Sequence, residues 1–210
     1  MKSYISFIIA LFFLTNSFGQ INFKADSSTS ESNWLTRISH SIDSTFRLDK
    51  TYDFEFRLWT IPSLTKDANV FILTQKNNNW TGRFIEYNGY QLQKLSERKV
   101  NQVKIDSLWR KLIANQVLTL PTQTSIENKM RKYIADTLYS FEEKGIYSVP
   151  EFSDCTGYRF ELLTQDKKRT YTYFCPTEYL TKFPNVEEFY RAFSIIVLVR
   201  KYIGLNLKVE

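Results

Sequence analysis

An α+β domain is predicted, built on an antiparallel β-sheet (a meander plus a C-terminal hairpin) with helices packed on one face. Three observations predict it. Residues 53–95 hold several short runs of alternating apolar and polar residues, separated by Pro, Asn and Gly. Residues 156–175, TGYRFELLTQDKKRTYTYFC, repeat that alternation on both sides of a polar turn. Between and after these lie segments with apolar residues three and four apart. Period two marks half-buried strands and period 3.6 marks amphipathic helices.

The chain opens MKSYISFIIALFFLTNSFGQ, with Lys2 before an apolar run and Ser17 and Gly19 at the −3 and −1 positions of a cleavage point before Gln20. The run is too short to span a bilayer, so residues 1–19 read as a secretory signal peptide. Residues 20–32 contain DSSTSES and are expected to form a flexible polar linker. A single domain is then expected over 33–210, with two lobes meeting near residue 120 as a variant. Asn33 is placed to cap a short helix carrying Leu35, Ile38 and Ile42 on one face, with His40 turned away.

Phe54, Phe56 and Leu58 alternate with Glu55 and Arg57, and Ile61-Pro62-Ser63 ends that strand. Val70–Leu73 is a second strand and Asn77–Asn79 a turn. Trp80–Tyr87 is the third strand, and Asn88-Gly89 is the dipeptide of a tight hairpin returning through Tyr90–Leu95. Ile105, Leu108, Trp109, Leu112 and Ile113 then give a helical stripe over about 102–115. Ile126, Met130, Tyr133 and Ile134 give a second. Residues 136–154 are irregular, and Pro176 and Pro184 bracket a loop. The last helix, from Asn185 to about Ile203, turns Phe189, Phe193, Ile196, Val197 and Ile203 to the core and is central to it. In the hairpin, a two-residue turn at Asp166-Lys167 pairs Phe160 with Tyr173 and Leu162 with Tyr171. That register sets Cys175 across from Tyr158, so a Cys155–Cys175 disulfide requires irregular backbone near Thr156-Gly157.

Composition narrows the function classes. With 17 Phe, 13 Tyr and 4 Trp the chain can build a large core without metals. Two cysteines in an oxidising compartment favour one disulfide. The formal charge of +6 falls to +5 once Lys2 is removed, but the charges are interspersed and form no basic stripe. The mild cationic excess reads as ordinary solvated surface charge, with anionic surfaces such as polyanionic glycans or lipid headgroups as the lesser alternative, while export argues against a nucleic-acid partner. No catalytic, metal or cofactor motif is present, and one histidine cannot assemble a zinc site. Two candidate sites stand out. Tyr171 and Tyr173 on one hairpin face, with Trp59 and Trp80, offer an aromatic platform for a sugar ring or protein partner. Glu142, Glu143, Glu151 and Asp154 form an acidic loop from which two carboxyls could serve a hydrolase.

The stretches Leu108–Pro121 (LWRKLIANQVLTLP) and Asp154–Pro176 (DCTGYRFELLTQDKKRTYTYFCP), followed by an apolar C-terminal helix, resemble uncharacterised secreted proteins of Gram-negative bacteria. The resemblance covers under a quarter of the mature chain. It implies a periplasmic or extracellular domain and carries no catalytic residue with it. The favoured expectation is therefore an exported non-enzymatic domain binding a protein or envelope component. The alternatives are a secreted carboxylate-dependent hydrolase of glycan or peptide, and a periplasmic inhibitor or immunity-type protein. Partner identity and oligomeric state are left open.

Overall fold

The computed structural model describes residues 21–25, 33–46, 51–65, 67–88, 94–99, 104–138 and 148–205. The expected signal peptide and its cleavage point at Gly19/Gln20, the polar run 26–32, and Glu142 and Glu143 lie outside the described residues.

Helix α1 (Asn33–Thr45) precedes a meander of β1 (Phe54–Pro62), β2 (Ala68–Lys76), β3 (Asn79–Asn88) and β4 (Lys94–Lys99). Helix α2 (Ile105–Ala114), a 3-10 turn (Gln123–Ile126) and helix α3 (Glu127–Leu138) follow. The hairpin strands β5 (Thr156–Leu163) and β6 (Lys168–Phe174) lead into α4 (Pro176–Lys182) and α5 (Glu187–Tyr202). All strands join one antiparallel sheet in the order β4-β3-β2-β1-β5-β6. The hairpin adds to the free edge of β1, from Glu55↔Leu163 to Pro62↔Thr156. Both halves of the sequence thus share one sheet, and β1 is its centre.

Alternation along the strands sorts the side chains between two faces. Phe54, Phe56, Leu58, Phe71, Leu73, Phe84, Phe160, Leu162, Tyr171 and Tyr173 point to the first face and form the main core with α2, α3, α4 and α5. The opposite face carries Trp59, Val70, Ile72 and Ile85, and α1 covers them with Ile38 and Ile42. The α+β antiparallel fold is as the sequence predicts, with one addition: four helices lie on one face and α1 lies on the other. On α5 the buried stripe is Phe189, Ala192, Ile195, Ile196 and Val199, so Phe193 and Val197 turn partly outward. Ile113 of α2 is exposed.

Several local expectations shift for identifiable reasons. The tight hairpin turn lies at Asn77-Asn78, where both residues have positive φ (50° and 62°), as a type I′ turn requires. The return strand after Asn88 begins at Lys94, paired with Asn88 itself, so Asn88-Gly89 does not close a two-residue turn. In the C-terminal hairpin Phe160 faces Tyr171 and Leu162 faces Arg169, two residues from the expected register. A shift of two preserves every face. The loop is closed by Thr164, whose hydroxyl donates to Asp166 Oδ1 at 2.7 Å and accepts from the Lys167 amide at 3.1 Å. Cys175 therefore lies beside Thr156, whose carbonyl accepts its amide at 3.2 Å. Cys155 and Cys175 are bonded, with Cα atoms 5.3 Å apart. The irregular backbone sits at Asp154 (φ 59°) and Cys175 (φ 48°) rather than at Thr156-Gly157. The expected loop after Pro176 is helix α4, with Pro176 in its first turn, a position where proline's missing N–H costs nothing. Phe23, inside the expected linker, is buried in the main core edge-on to Phe54 at 6.3 Å.

Candidate functional site

The expected aromatic platform is not a surface. Tyr171 and Tyr173 are 1 % and 0 % exposed. Their ring neighbours are Phe160, stacked on Tyr171 at 4.7 Å, and Phe189, edge-on to Tyr173 at 5.9 Å. Their hydroxyls donate to the carbonyls of Val117 at 2.7 Å and Pro121 at 2.8 Å. Arg169 on the same strand face donates to the carbonyls of Leu118 and, at 2.8 Å, Leu120. β6 thus clasps the segment after α2. Trp59 is buried on the opposite face, and Trp80 is half-buried against Trp109 at 5.0 Å. The physical reason is common to all four: large rings gain most from burial, and polar groups on Tyr and Trp are tolerated inside once bonded. Trp59 meets that condition by donating Nε1–H to Glu161 Oε2 at 2.7 Å.

Of the acidic candidates, Glu151 and Asp154 are exposed. His40 is exposed on α1. Cys155, Cys175 and Glu178 bring ligand-type atoms within 4.8 Å of one another, but the sulfurs are bonded to each other and offer no thiolate.

Sequence reasoning missed a buried charged network on the α1 face. Arg57 donates from Nε to Glu55 Oε1 at 2.6 Å and from Nη1 to Ser39 Oγ at 3.2 Å, and its Nη2 lies 2.9 Å from Asp43 Oδ1. Thr74 donates to Glu55 Oε2 at 3.0 Å. Arg159 Nη2 donates to Glu161 Oε1 at 2.7 Å. Burial pushes the Glu55 carboxyl above its usual range against the pull of Arg57. The polar members of the strand alternation announce these residues, but their burial depends on α1 lying over them.

Two surface cavities are lined by described residues. One, of about 350 Å³, sits beyond the end of α1 and includes Tyr52, Glu55, Thr74 and Thr81 in its lining. Burial first, and the Glu55 charge second, push the Tyr52 phenol up to about 12.

The other, of about 400 Å³, lies between α2 and α5. Lys104, Ser107 and Lys111 reach it from one face of α2, at successive spacings of three and four. Leu198, Lys201 and Tyr202 reach it from the last turn of α5. Leu108, buried, supplies apolar lining. The Tyr202 ring is fixed edge-on to Phe71 at 5.8 Å. Among the described residues no acid lines this cavity, and Lys104, Lys111 and Lys201 have no ion-pair partner. Lys104 is moreover the N-cap residue of α2, and its side chain makes no capping hydrogen bond. The amide end of a helix carries partial positive charge; Asp106 in the first turn of α2 offsets part of it, and Lys104 adds to it. Chemically the arrangement is a cationic cleft with an apolar lining, suited to holding an anion.

No protein-family model matches the chain, and no curated protein matches it in sequence. Among the described residues no helix is long and apolar enough to cross a membrane.

Proposed function

We propose that the chain is an exported, non-enzymatic domain that binds an anionic component of the bacterial envelope in the cavity between α2 and α5. The observation that carries this reading is the convergence of Lys104, Lys111 and Lys201 on one cavity with no carboxylate among the described residues of its lining. Like charges drawn together cost stability unless a counter-ion serves them, so their gathering favours a ligand that supplies one. The bridged pair Cys155–Cys175 supports export, since such bonds persist in the periplasm or outside the cell. Leu108 and Leu198 add an apolar contact, which fits an anion attached to a greasy or glycan body better than a free ion.

The test is co-sedimentation of the purified protein with phosphatidylglycerol vesicles, phosphatidylcholine vesicles and an immobilised anionic polysaccharide, at low and high salt. Binding to an anionic support that weakens with salt, and falls about tenfold or more in the Lys104→Gln/Lys111→Gln/Lys201→Gln variant, is the expected result. Equal binding to neutral vesicles, or an undiminished triple variant, refutes the site.

A further inference from the structure

We infer that the cavity beyond the end of α1 is a second, independent site, and that it takes an uncharged, hydroxyl-rich ligand, a sugar ring.

The sheet itself builds it. On the α1 face, cross-strand neighbours form rows running β1-β2-β3. Trp59, Val70 and Ile85 make one row, Arg57, Ile72 and Arg83 the next, and Glu55, Thr74 and Thr81 the third. Helix α1 covers the first rows through Ile38 and Ile42, and the chain leaves the helix at Phe46, whose carbonyl accepts from Arg83 at 3.5 Å. The third row lies past that end and lines the cavity. Its rim is fixed: the Asn77 amide donates to Asp53 Oδ2 at 2.7 Å, and Asn79 Nδ2 donates to the Asn77 carbonyl at 3.3 Å.

The donor and acceptor set points to the ligand. Glu55 is 2 % exposed, and each of its oxygens has one partner, Arg57 or Thr74. A carboxylate offers about four acceptor sites, so Glu55 retains capacity to accept from hydroxyls. The Thr81 hydroxyl, exposed, and the Asn79 side chain add neutral donors and acceptors. Tyr52 supplies an aromatic ring for the C–H face of a sugar. The cations at the wall are already engaged, Arg83 with Glu97 at 3.7 Å and Lys76 with the Thr51 hydroxyl. With Glu55 matched by Arg57, the cavity has little net charge with which to select an ion. Its volume of about 350 Å³ suits a mono- or disaccharide.

The test is saturation-transfer NMR on the purified protein with glucose, galactose, mannose and N-acetylglucosamine, alongside inorganic phosphate. The proposal expects transfer to at least one neutral sugar. It expects an affinity loss of about fivefold or more in Thr81→Val and in Asn79→Ala, and no loss in the triple lysine variant. Thr81 is exposed and valine is nearly its shape, so a matched thermal melt separates lost contact from lost fold. No transfer to any of the sugars overturns the proposal, as does binding that survives both substitutions. Competition by inorganic phosphate, or loss in the lysine variant, overturns it too, because the ligand would then belong to the α2–α5 cavity.

Discussion

Replacing Tyr171 by Phe removes one oxygen and no ring. The Tyr171 hydroxyl donates to the Val117 carbonyl at 2.7 Å, and Val117 is 0 % exposed. Losing a neutral hydrogen bond costs about 1 kcal/mol, and stranding a buried acceptor raises this to about 2 kcal/mol. Tyr173→Phe makes the same chemical change against the Pro121 carbonyl, which is only half-buried. Water can replace that partner, so the cost should stay near or below about 1 kcal/mol. Urea unfolding followed by tryptophan fluorescence reads both, with an unchanged slope showing that stability alone has moved. A Tyr171→Phe variant within about 0.5 kcal/mol of the parent, or one less damaged than Tyr173→Phe, would refute the reasoning. The same geometry disposes of a tempting shortcut. Alanine at either position removes a whole ring from the core at about 3–5 kcal/mol, so lost partner binding in such a variant would report unfolding, not an interface.

Three further perturbations follow from the same packing. Cys155 and Cys175 are separated by 20 residues, and loop-closure entropy for that length gives about 3 kcal/mol. A Cys155→Ser/Cys175→Ser variant should lose about that much in urea, and a loss under about 1 kcal/mol would deny the bond a stabilising role. Arg57→Ala should cost about 3–5 kcal/mol, because Glu55 stays buried without its partner, whereas Glu55→Gln/Arg57→Met should recover most of that loss; equal losses in the two variants would count against the pairing. Burial raises the phenols of Tyr52, Tyr158, Tyr171 and Tyr173. Above about pH 10 the unfolded chain gives up phenolic protons that the folded chain keeps, so stability falls as pH rises toward about 12. Near-ultraviolet phenolate absorbance should therefore climb in separate steps, the last coinciding with unfolding. A single step near the ordinary phenol range would contradict the burial of these rings.

How much of this was legible in the sequence depends on the range of the interaction that decides it. The alternation of Tyr158, Phe160 and Leu162 against Tyr171 and Tyr173 is a local pattern and correctly assigns both strands and their buried face. The register is not local: it turns on the Thr164 hydroxyl closing the loop on Asp166 and Lys167, one residue earlier than the turn at Asp166-Lys167. Helix α4 was hidden because Pro176 reads equally well as a break or as a helix start. Tyr179 and Phe183, four apart and both buried, were the available signal. Phe23 was hidden in a polar neighbourhood, and its place in the main core beside Phe54 exists once the fold forms. Within α2 the seven-residue spacing of Lys104 and Lys111 marks one helix face, but nothing local brings Lys201 to them. That juxtaposition exists only once α2 and α5 pack side by side.

The aromatic residues carry the opposite lesson. A chain with so many rings suggests a surplus for recognition, yet this fold uses them to fill a deep layer between the sheet and four helices. Phe54, Phe56, Phe71, Phe84, Phe160, Phe183 and Phe189 are all nearly inaccessible, with Tyr171 and Tyr173 beside them and Trp59 buried on the α1 face. The exposed Phe152, Phe174 and Tyr190 come from the approach to β5, the end of β6 and α5 respectively. With both faces of the central sheet covered, the two proposed sites lie where a covering helix ends or two helices part. The α2–α5 cleft is of the second kind and the Glu55 row of the first. The chemistry differs accordingly. Helix surfaces bring long cationic side chains to a cleft with an apolar lining, whereas the row of strand residues past the end of α1 presents short hydroxyl and carboxylate groups at fixed spacing. If the lysine and threonine variants lose different ligands, this division of labour follows from the architecture. If they lose the same one, the two cavities cannot be the separate sites that their linings imply.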